Sequence, residues 1–163
     1  MRFIKLGLIS VVVFFLIIWG MSLLIPRHVR ISRAINVSTS KANVLYQIEH
    51  IKNWQQWNVM VKNEALTNSR FTDSVFSSDQ LIVKLDGVWP DSVHLKWLQG
   101  KNEYTGGFNL YESGDTTAVQ WYFDFYLPWY PWKKLGSLVF DKQLGPPMEQ
   151  SLSNLKTIAG KKE

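Results

Sequence analysis

The sequence feature that most constrains the fold is a strictly alternating segment, residues 116–127. Apolar or small side chains occupy every second position, and a different set of side chains occupies the positions between them. A period of two is the period of a β-strand. The segment therefore predicts a long, half-buried antiparallel strand. Its inward face would carry Thr117, Val119, Trp121, Phe123, Phe125 and Leu127.

After this strand the spacing of apolar residues changes to that of an α-helix. Two prolines, Pro128 and Pro131, separate the two patterns. A long amphipathic C-terminal helix is predicted from the spacing of the apolar residues that follow. A curved, aromatic-lined strand before such a helix indicates a sheet wrapped around the helix, with an apolar pocket between them. The residues at helical spacing are Trp132, Leu135, Val139, Met148, Leu152, Leu155 and Ala159.

The preceding residues predict a strand, a helix with a short second turn, and then an antiparallel meander. The second turn is bracketed by Trp54 and Trp57. Gly106-Gly107 falls inside one predicted strand, where glycine often marks a bulge or a sharp bend. The fold class is therefore α+β. The predicted strands are residues 29–37, a weak one at 71–76, and others at 81–85, 93–97 and 103–111.

The N-terminus carries an uncharged apolar run of 20 residues, Leu6 to Ile25. As a helix the run would be about 30 Å long, which is the thickness of a bilayer core. We predict a transmembrane anchor (residues 1–26), contact with the bilayer through residues 6–25, and a single-pass membrane location. A cleaved signal peptide is the alternative, although its apolar region is usually shorter. The charges on the two sides balance, so the side of the membrane stays open.

Composition argues against several other functions. The chain has no cysteine, which excludes disulfides and thiol ligands. Its net charge of +5 is modest, and its lysines are too scattered for a nucleic-acid surface. The histidines His28, His50 and His94 lack metal-ligand spacing. We predict no metal, no cofactor and no catalytic set, and protein partners stay unknown.

Two stretches resemble a known superfamily. Residues 35–57 (INVSTSKANVLYQIEHIKNWQQW) resemble the opening of START-like proteins of the polyketide cyclase/dehydrase and lipid-transport (SRPBCC) type, with Asn53-Trp54 and Trp57 matching an "NW..W" corner. Residues 119–123, Leu127-Pro128 and residues 144–156 resemble the closing strand and helix. Asn58 stands where the pattern has proline, and the glycine-rich middle strands are missing.

The resemblance implies a helix-grip fold over residues 27–163, with a hydrophobic cavity between the sheet and the last helix. Such domains bind lipids or other apolar molecules, and some catalyse reactions there. Strand parity and helical spacing select the predicted lining: Trp97, Phe108, Trp121, Phe123, Met148 and Leu152. We expect a membrane-tethered domain that binds a hydrophobic small molecule or lipid. The alternatives are a scaffold with a filled pocket and a cyclase- or dehydrase-like enzyme.

Overall fold

The structure is a computed structural model that describes residues 2–160. Its helices are α1 (Arg2–Leu23), α2 (Lys41–Glu49), α3 (Trp54–Trp57), α4 (Pro131–Gly136) and α5 (Phe140–Ala159), with 3₁₀ turns at Ile51–Asn53 and Ser137–Val139. Its strands are β1 (His28–Val37), β2 (Arg70–Phe71), β3 (Val75–Ser77), β4 (Leu81–Trp89), β5 (Ser92–Gln99), β6 (Asn102–Ser113) and β7 (Thr116–Tyr126).

All seven strands form one curved antiparallel sheet in the order β1-β7-β6-β5-β4-β3-β2. Strands β2 to β7 follow one another as a meander. Strand β1 closes the arrangement by pairing with β7, so the first and last strands are neighbours. Helix α5 packs across one face of the sheet, against β1 and against α3. This is the predicted α+β helix-grip fold, preceded by one apolar helix.

The parity predicted for β7 is confirmed. Val119, Trp121 and Phe123 are fully buried and belong to the core beneath α5. The strand ends at Tyr126, one residue before the predicted Leu127. The opposite face of β7 is not simply solvent-exposed, since Tyr122 and Asp124 on that face are buried as well.

The weak strand predicted at residues 71–76 was wrong, because the chain turns inside it. Strands β2 and β3 are two short strands that pair with each other. Between them the Thr72 N–H donates to the carbonyl oxygen of Val75 at 2.9 Å, and the Thr72 hydroxyl donates to the same oxygen at 3.0 Å. Short polar side chains of this kind favour turns over strands because they bond to the nearby backbone.

Gly106 and Gly107 do not interrupt the pairing of β6, contrary to the predicted bulge. The register with β5 and with β7 continues through both residues. Glycine is required at position 107 for close approach, because an added Cβ would lie 2.3 Å from the carbonyl oxygen of Val93. The sheet's register shift lies instead in β4, between Leu85 and Gly87.

The predicted C-terminal helix is divided into α4, a 3₁₀ turn and α5. The side chains of Trp132 and Val139 were expected on the apolar face of a packed helix, but they are 64% and 46% exposed. The residues that α4 and the turn bury are Pro131, Lys134 and Ser137. Helix α4 contacts α1. Sequence periodicity could not reveal this contact, because it joins two elements far apart in the chain.

Helix α1 is the N-terminal apolar helix. Residues Phe3–Leu23 have a mean hydropathy of 2.5, and 6% of the most apolar stretch is buried. This low burial distinguishes α1 from the core helix of a soluble domain. The helix is long and apolar enough to cross a bilayer, and a signal sequence shares these properties.

Candidate functional site

The six residues predicted to line a pocket meet in the interior between the sheet and α5. Each of them is at most 1% exposed. The ring centroids of Trp97 and Phe123 are 4.9 Å apart, and those of Phe108 and Trp121 are 5.1 Å apart. Met148 and Leu152 belong to the same core cluster from the side of α5.

Two further tryptophans, Trp54 and Trp57 of α3, reach into this interior. The ring of Trp54 lies 6.0 Å from that of Trp97, and the ring of Trp57 lies 6.3 Å from that of Trp121. Both side chains are 0% exposed. Sequence analysis placed them in a corner motif but not in the lining. The missed signal is their three-residue spacing, which points both rings from one short turn to the same side.

The interior is closed in this conformation. A side chain that lined a void large enough for water would retain some accessible surface. Trp97, Phe108, Trp121, Phe123 and Met148 are each 0% exposed. Aromatic rings from the sheet and from α3 therefore fill the space that the resemblance assigns to a cavity.

The four interior tryptophans differ in their hydrogen bonding. The Nε1–H of Trp54 donates to the carbonyl oxygen of Ile48 at 2.8 Å, and that of Trp57 donates to the carbonyl oxygen of Gln47 at 3.3 Å. Within residues 2–160, the Nε1–H groups of Trp97 and Trp121 have no acceptor. An unpaired buried donor costs about 1–3 kcal/mol. The sheet thus carries two buried indole donors without a partner.

Two polar side chains of helix α5 hold residues 54–59 in place. We call residues 54–59 the α3 corner. The Ser151 hydroxyl accepts a hydrogen bond from the Val59 N–H at 3.0 Å and donates one to the carbonyl oxygen of Pro147 at 2.7 Å. The Asn154 side-chain amide donates to the carbonyl oxygen of Trp57 at 3.1 Å. These bonds form a latch, residues Ser151 and Asn154, between the corner and α5.

A surface groove lies beside the same corner. Its volume is about 390 Å³, and both polar and apolar side chains line it. The corner therefore borders the filled interior on one side and open space on the other. The groove is lined by Gln55, Val61, Lys62, Asn63, Glu64, Leu66, Ser69 and Phe71.

Tyr104 is an ionisable side chain whose ring contacts the interior aromatics. Its ring stacks on that of Trp97 at 6.3 Å between centroids. Burial raises the pKa of Tyr104 to about 12. A phenol with that pKa is neutral at pH 7 and is not matched to general acid–base work there. Among residues 2–160, no group of three His, Cys, Asp or Glu residues is placed to hold a metal ion.

A polar cluster occupies the other face of the sheet, at the start of β1 and the end of β7. Arg30 donates hydrogen bonds to both carboxylate oxygens of Asp124, each at 2.7 Å. His28 Nε2 lies 2.8 Å from Oδ1 of the same carboxylate. The Arg30 guanidinium also lies 4.5 Å from the ring centre of Tyr122. The hydrogen bonds from Arg30 lower the pKa of Asp124 below its ordinary value, although burial of the carboxylate acts in the opposite direction.

Comparison with known proteins supports the fold alone. Neither a known family nor a curated protein matches the sequence. Solved structures do match. CalU16 from Micromonospora echinospora has a TM-score of 0.56 and 15% identity, covering 82% of this chain and 76% of CalU16. A START superfamily protein from Mycobacterium smegmatis has a TM-score of 0.56 and 16% identity, covering 80% of this chain and 96% of that protein.

This chain has a START-like fold. A third match is DynU16, a protein of the dynemicin biosynthetic locus, with a TM-score of 0.52 and 20% identity. The aligned region covers 81% of this chain and 46% of DynU16, so this chain spans about half of that protein. At these identities the likeness defines the architecture, and the function must be argued from the interior itself.

Proposed function

We propose that this protein is a membrane-tethered domain that binds a hydrophobic small molecule or a lipid between the sheet and α5. Residues 1–26 would form the anchor and residues 27–163 the binding domain, of which residues 161–163 lie outside the described part. The binding surface would consist of Trp97, Phe108, Trp121, Phe123, Met148 and Leu152. The START-like fold supports this class of ligand by analogy.

The unpartnered indole N–H groups of Trp97 and Trp121 are the observation that carries the proposal. Both rings face the apolar interior, where a polar group without a partner is costly. A ligand with an apolar body and one hydrogen-bond acceptor, such as a carbonyl or hydroxyl oxygen, would satisfy a donor and bury its own apolar surface. Apolar pockets typically use a few polar groups in this way to orient the ligand.

Binding would require the α3 corner to move, because Trp54 and Trp57 occupy the interior. The corner is short, and the latch to α5 consists of hydrogen bonds that contribute about 0.5–1.5 kcal/mol each. The groove on its other side offers space for outward movement. The ligand would then replace the two indole rings against Phe108 and Trp121.

Helix α1 supports the tether. Its apolar surface is almost entirely exposed, which is costly in water and favourable in a bilayer. Tethering would keep the domain close to a source of apolar ligands.

A scaffold with a permanently filled interior is the second candidate. The complete burial of the six lining residues favours it. In that case the two unpaired indole donors are a fixed cost of the packing, and the domain acts through its outer surfaces.

Quantitative extraction of ligand from the purified full chain separates the two candidates. Wild type would be compared with Trp97→Phe, which removes one of the two unpaired interior N–H groups, and with Trp89→Phe, the same change at a 48% exposed position. Loss of a bond worth about 1–3 kcal/mol corresponds to roughly 5- to 150-fold weaker binding. We expect one molecular species to be depleted in Trp97→Phe and retained in Trp89→Phe, as measured by mass spectrometry.

The anchor is identical in all three chains, so lipids that α1 carries cancel in the comparison. Identical extracts from the three chains, with no species in excess over the surrounding lipid, would contradict ligand binding and favour the scaffold.

A further inference from the structure

The corner between β7 and α5 exposes an unusual group of apolar side chains, which we call the aromatic ledge. Its members are 46–76% exposed. The ring of Tyr130, between two of these members in the chain, contacts the rings of Trp129 and Trp132. Soluble surfaces rarely gather large apolar groups in this way without a partner. The ledge consists of Tyr126, Trp129, Trp132, Leu138 and Val139.

The ledge lies where α1 meets the domain. The Lys134 ammonium donates hydrogen bonds to the carbonyl oxygens of Ser22, at 3.0 Å, and of Ile25, at 2.8 Å. The N–H of Leu127 also donates to the carbonyl oxygen of Arg27 at 2.7 Å. Lys134 is 6% exposed, so a buried cation caps the C-terminal end of α1. These bonds fix the ledge beside the point where α1 ends.

The chemistry of the ledge matches the boundary between lipid head groups and acyl chains. Trp and Tyr concentrate at this boundary because each has an apolar ring and a polar end. Residues 126–139 contain no acidic residue, and Lys133 and the neighbouring Arg27 are exposed. Cations in this position attract anionic head groups. Helix α4, which carries Trp132, contacts α1.

We infer that the aromatic ledge inserts into the bilayer interface and, through Lys134, sets the orientation of the domain on the membrane. The inference rests on the proposed tether and is independent of ligand binding. Lys134 acts as a positioning residue, because it touches the backbone of α1 rather than lipid. The occupant of the ledge is a phospholipid surface that contains anionic lipid.

The absence of cysteine allows a direct test by single-site labelling of the full chain. A bimane fluorophore would be attached in Trp129→Cys, Leu138→Cys, Val12→Cys and Tyr111→Cys. Tyr111 is a matched control because it is 60% exposed and pairs with Ala118. That position is about 26 Å along β7 from Tyr126. The chains would be reconstituted into vesicles of phosphatidylcholine and phosphatidylglycerol that carry nitroxide-labelled lipids.

We expect a head-group nitroxide to quench the ledge sites about twofold or more over Tyr111→Cys, as an interfacial position requires. An acyl-chain nitroxide should quench Val12→Cys. If Val12→Cys is quenched but the ledge sites are quenched no more than Tyr111→Cys, the inference is overturned and the tether stands. No quenching at Val12→Cys would overturn both, while ligand extraction would still report on the interior.

The role of Lys134 has its own readout. In Lys134→Met the long side chain remains but the bonds to Ser22 and Ile25 are lost. We expect weaker head-group quenching at Leu138→Cys with unchanged acyl-chain quenching at Val12→Cys. If Leu138→Cys is quenched equally with and without Lys134→Met, Lys134 does not set the orientation of the domain.

Discussion

Trp97 and Trp121 illustrate how residues of one type can differ in chemistry inside one core. Trp54 and Trp57 lie close to carbonyl groups of α2, at the end of a helix, where backbone acceptors have no intrahelical donor. Trp97 and Trp121 extend from strands whose backbone acceptors already pair with neighbouring strands. An acceptor for the sheet indoles would therefore have to come from a side chain or a ligand.

Asp124 makes the stability of the domain dependent on pH. Its pKa is lower in the folded protein than in the unfolded chain, because Arg30 and His28 bond to the carboxylate. The resulting stabilisation is present above the unfolded pKa, about 4, and is lost as the pH falls through the folded value. We expect Asp124→Asn to lower the free energy of unfolding by about 1–3 kcal/mol at pH 7.

The measurement is urea denaturation of the full chain in detergent between pH 3 and 7, followed by tryptophan fluorescence. The matched control is Asp115→Asn in the exposed hairpin turn. Asp124→Asn should unfold with a flatter pH dependence than wild type. If its pH dependence in this range equals that of wild type, the assignment to Asp124 is wrong.

Residue-level prediction from the sequence succeeded where a period fixes direction. The alternation in β5, β6 and β7 placed Trp97, Phe108, Trp121 and Phe123 inward. It could not predict the cluster of Arg30 with Asp124, because these residues meet only once β1 pairs with β7. The same limit applies to Gly107, whose need for glycine comes from the Val93 carbonyl of a neighbouring strand.

At the scale of elements, the latch of Ser151 and Asn154 joins the α3 corner to α5. Ser151 accepts the Val59 N–H, and this hydroxyl joins the corner to α5. Removing the acceptor in Ser151→Ala should weaken the corner by about 1–2 kcal/mol and increase local opening roughly 5- to 30-fold.

Amide hydrogen exchange of residues 54–59 tests this expectation. Ser153→Ala, two residues away and exposed, is the matched control. Exchange should be faster in Ser151→Ala and unchanged in Ser153→Ala, with β5 to β7 unaffected in both. Equal protection of residues 54–59 in both variants would show that the latch does not restrain the corner.

Element types were predictable, whereas contacts between elements were not. Helical spacing located α5, but its Met148 and Leu152 face the core while Trp132 and Val139 of the preceding segment face outward. The difference arises because α4 packs its Lys134 side against α1. A sequence pattern records which residues are apolar, and it does not record whether a bilayer or a protein core covers them.

At the scale of the whole molecule, three regions are rich in apolar side chains: α1, the aromatic ledge and the interior beneath α5. The tether and the ledge would place the domain at the bilayer surface. Ligand binding in the interior requires an apolar molecule in contact with the buried face of α5.

Photo-methionine incorporated into the full chain would detect such a molecule by cross-linking. The described methionines sample distinct environments: Met21 is exposed on α1, Met60 is half-buried beside the corner, and Met148 is fully buried on α5. After illumination in native membranes, peptide mass spectrometry would identify adducts at each position. We predict mixed bilayer lipids on Met21 and one discrete apolar species on Met148. Lipid adducts on Met21, with Met148 linked solely to its own protein neighbours, would rule out ligand binding in the interior.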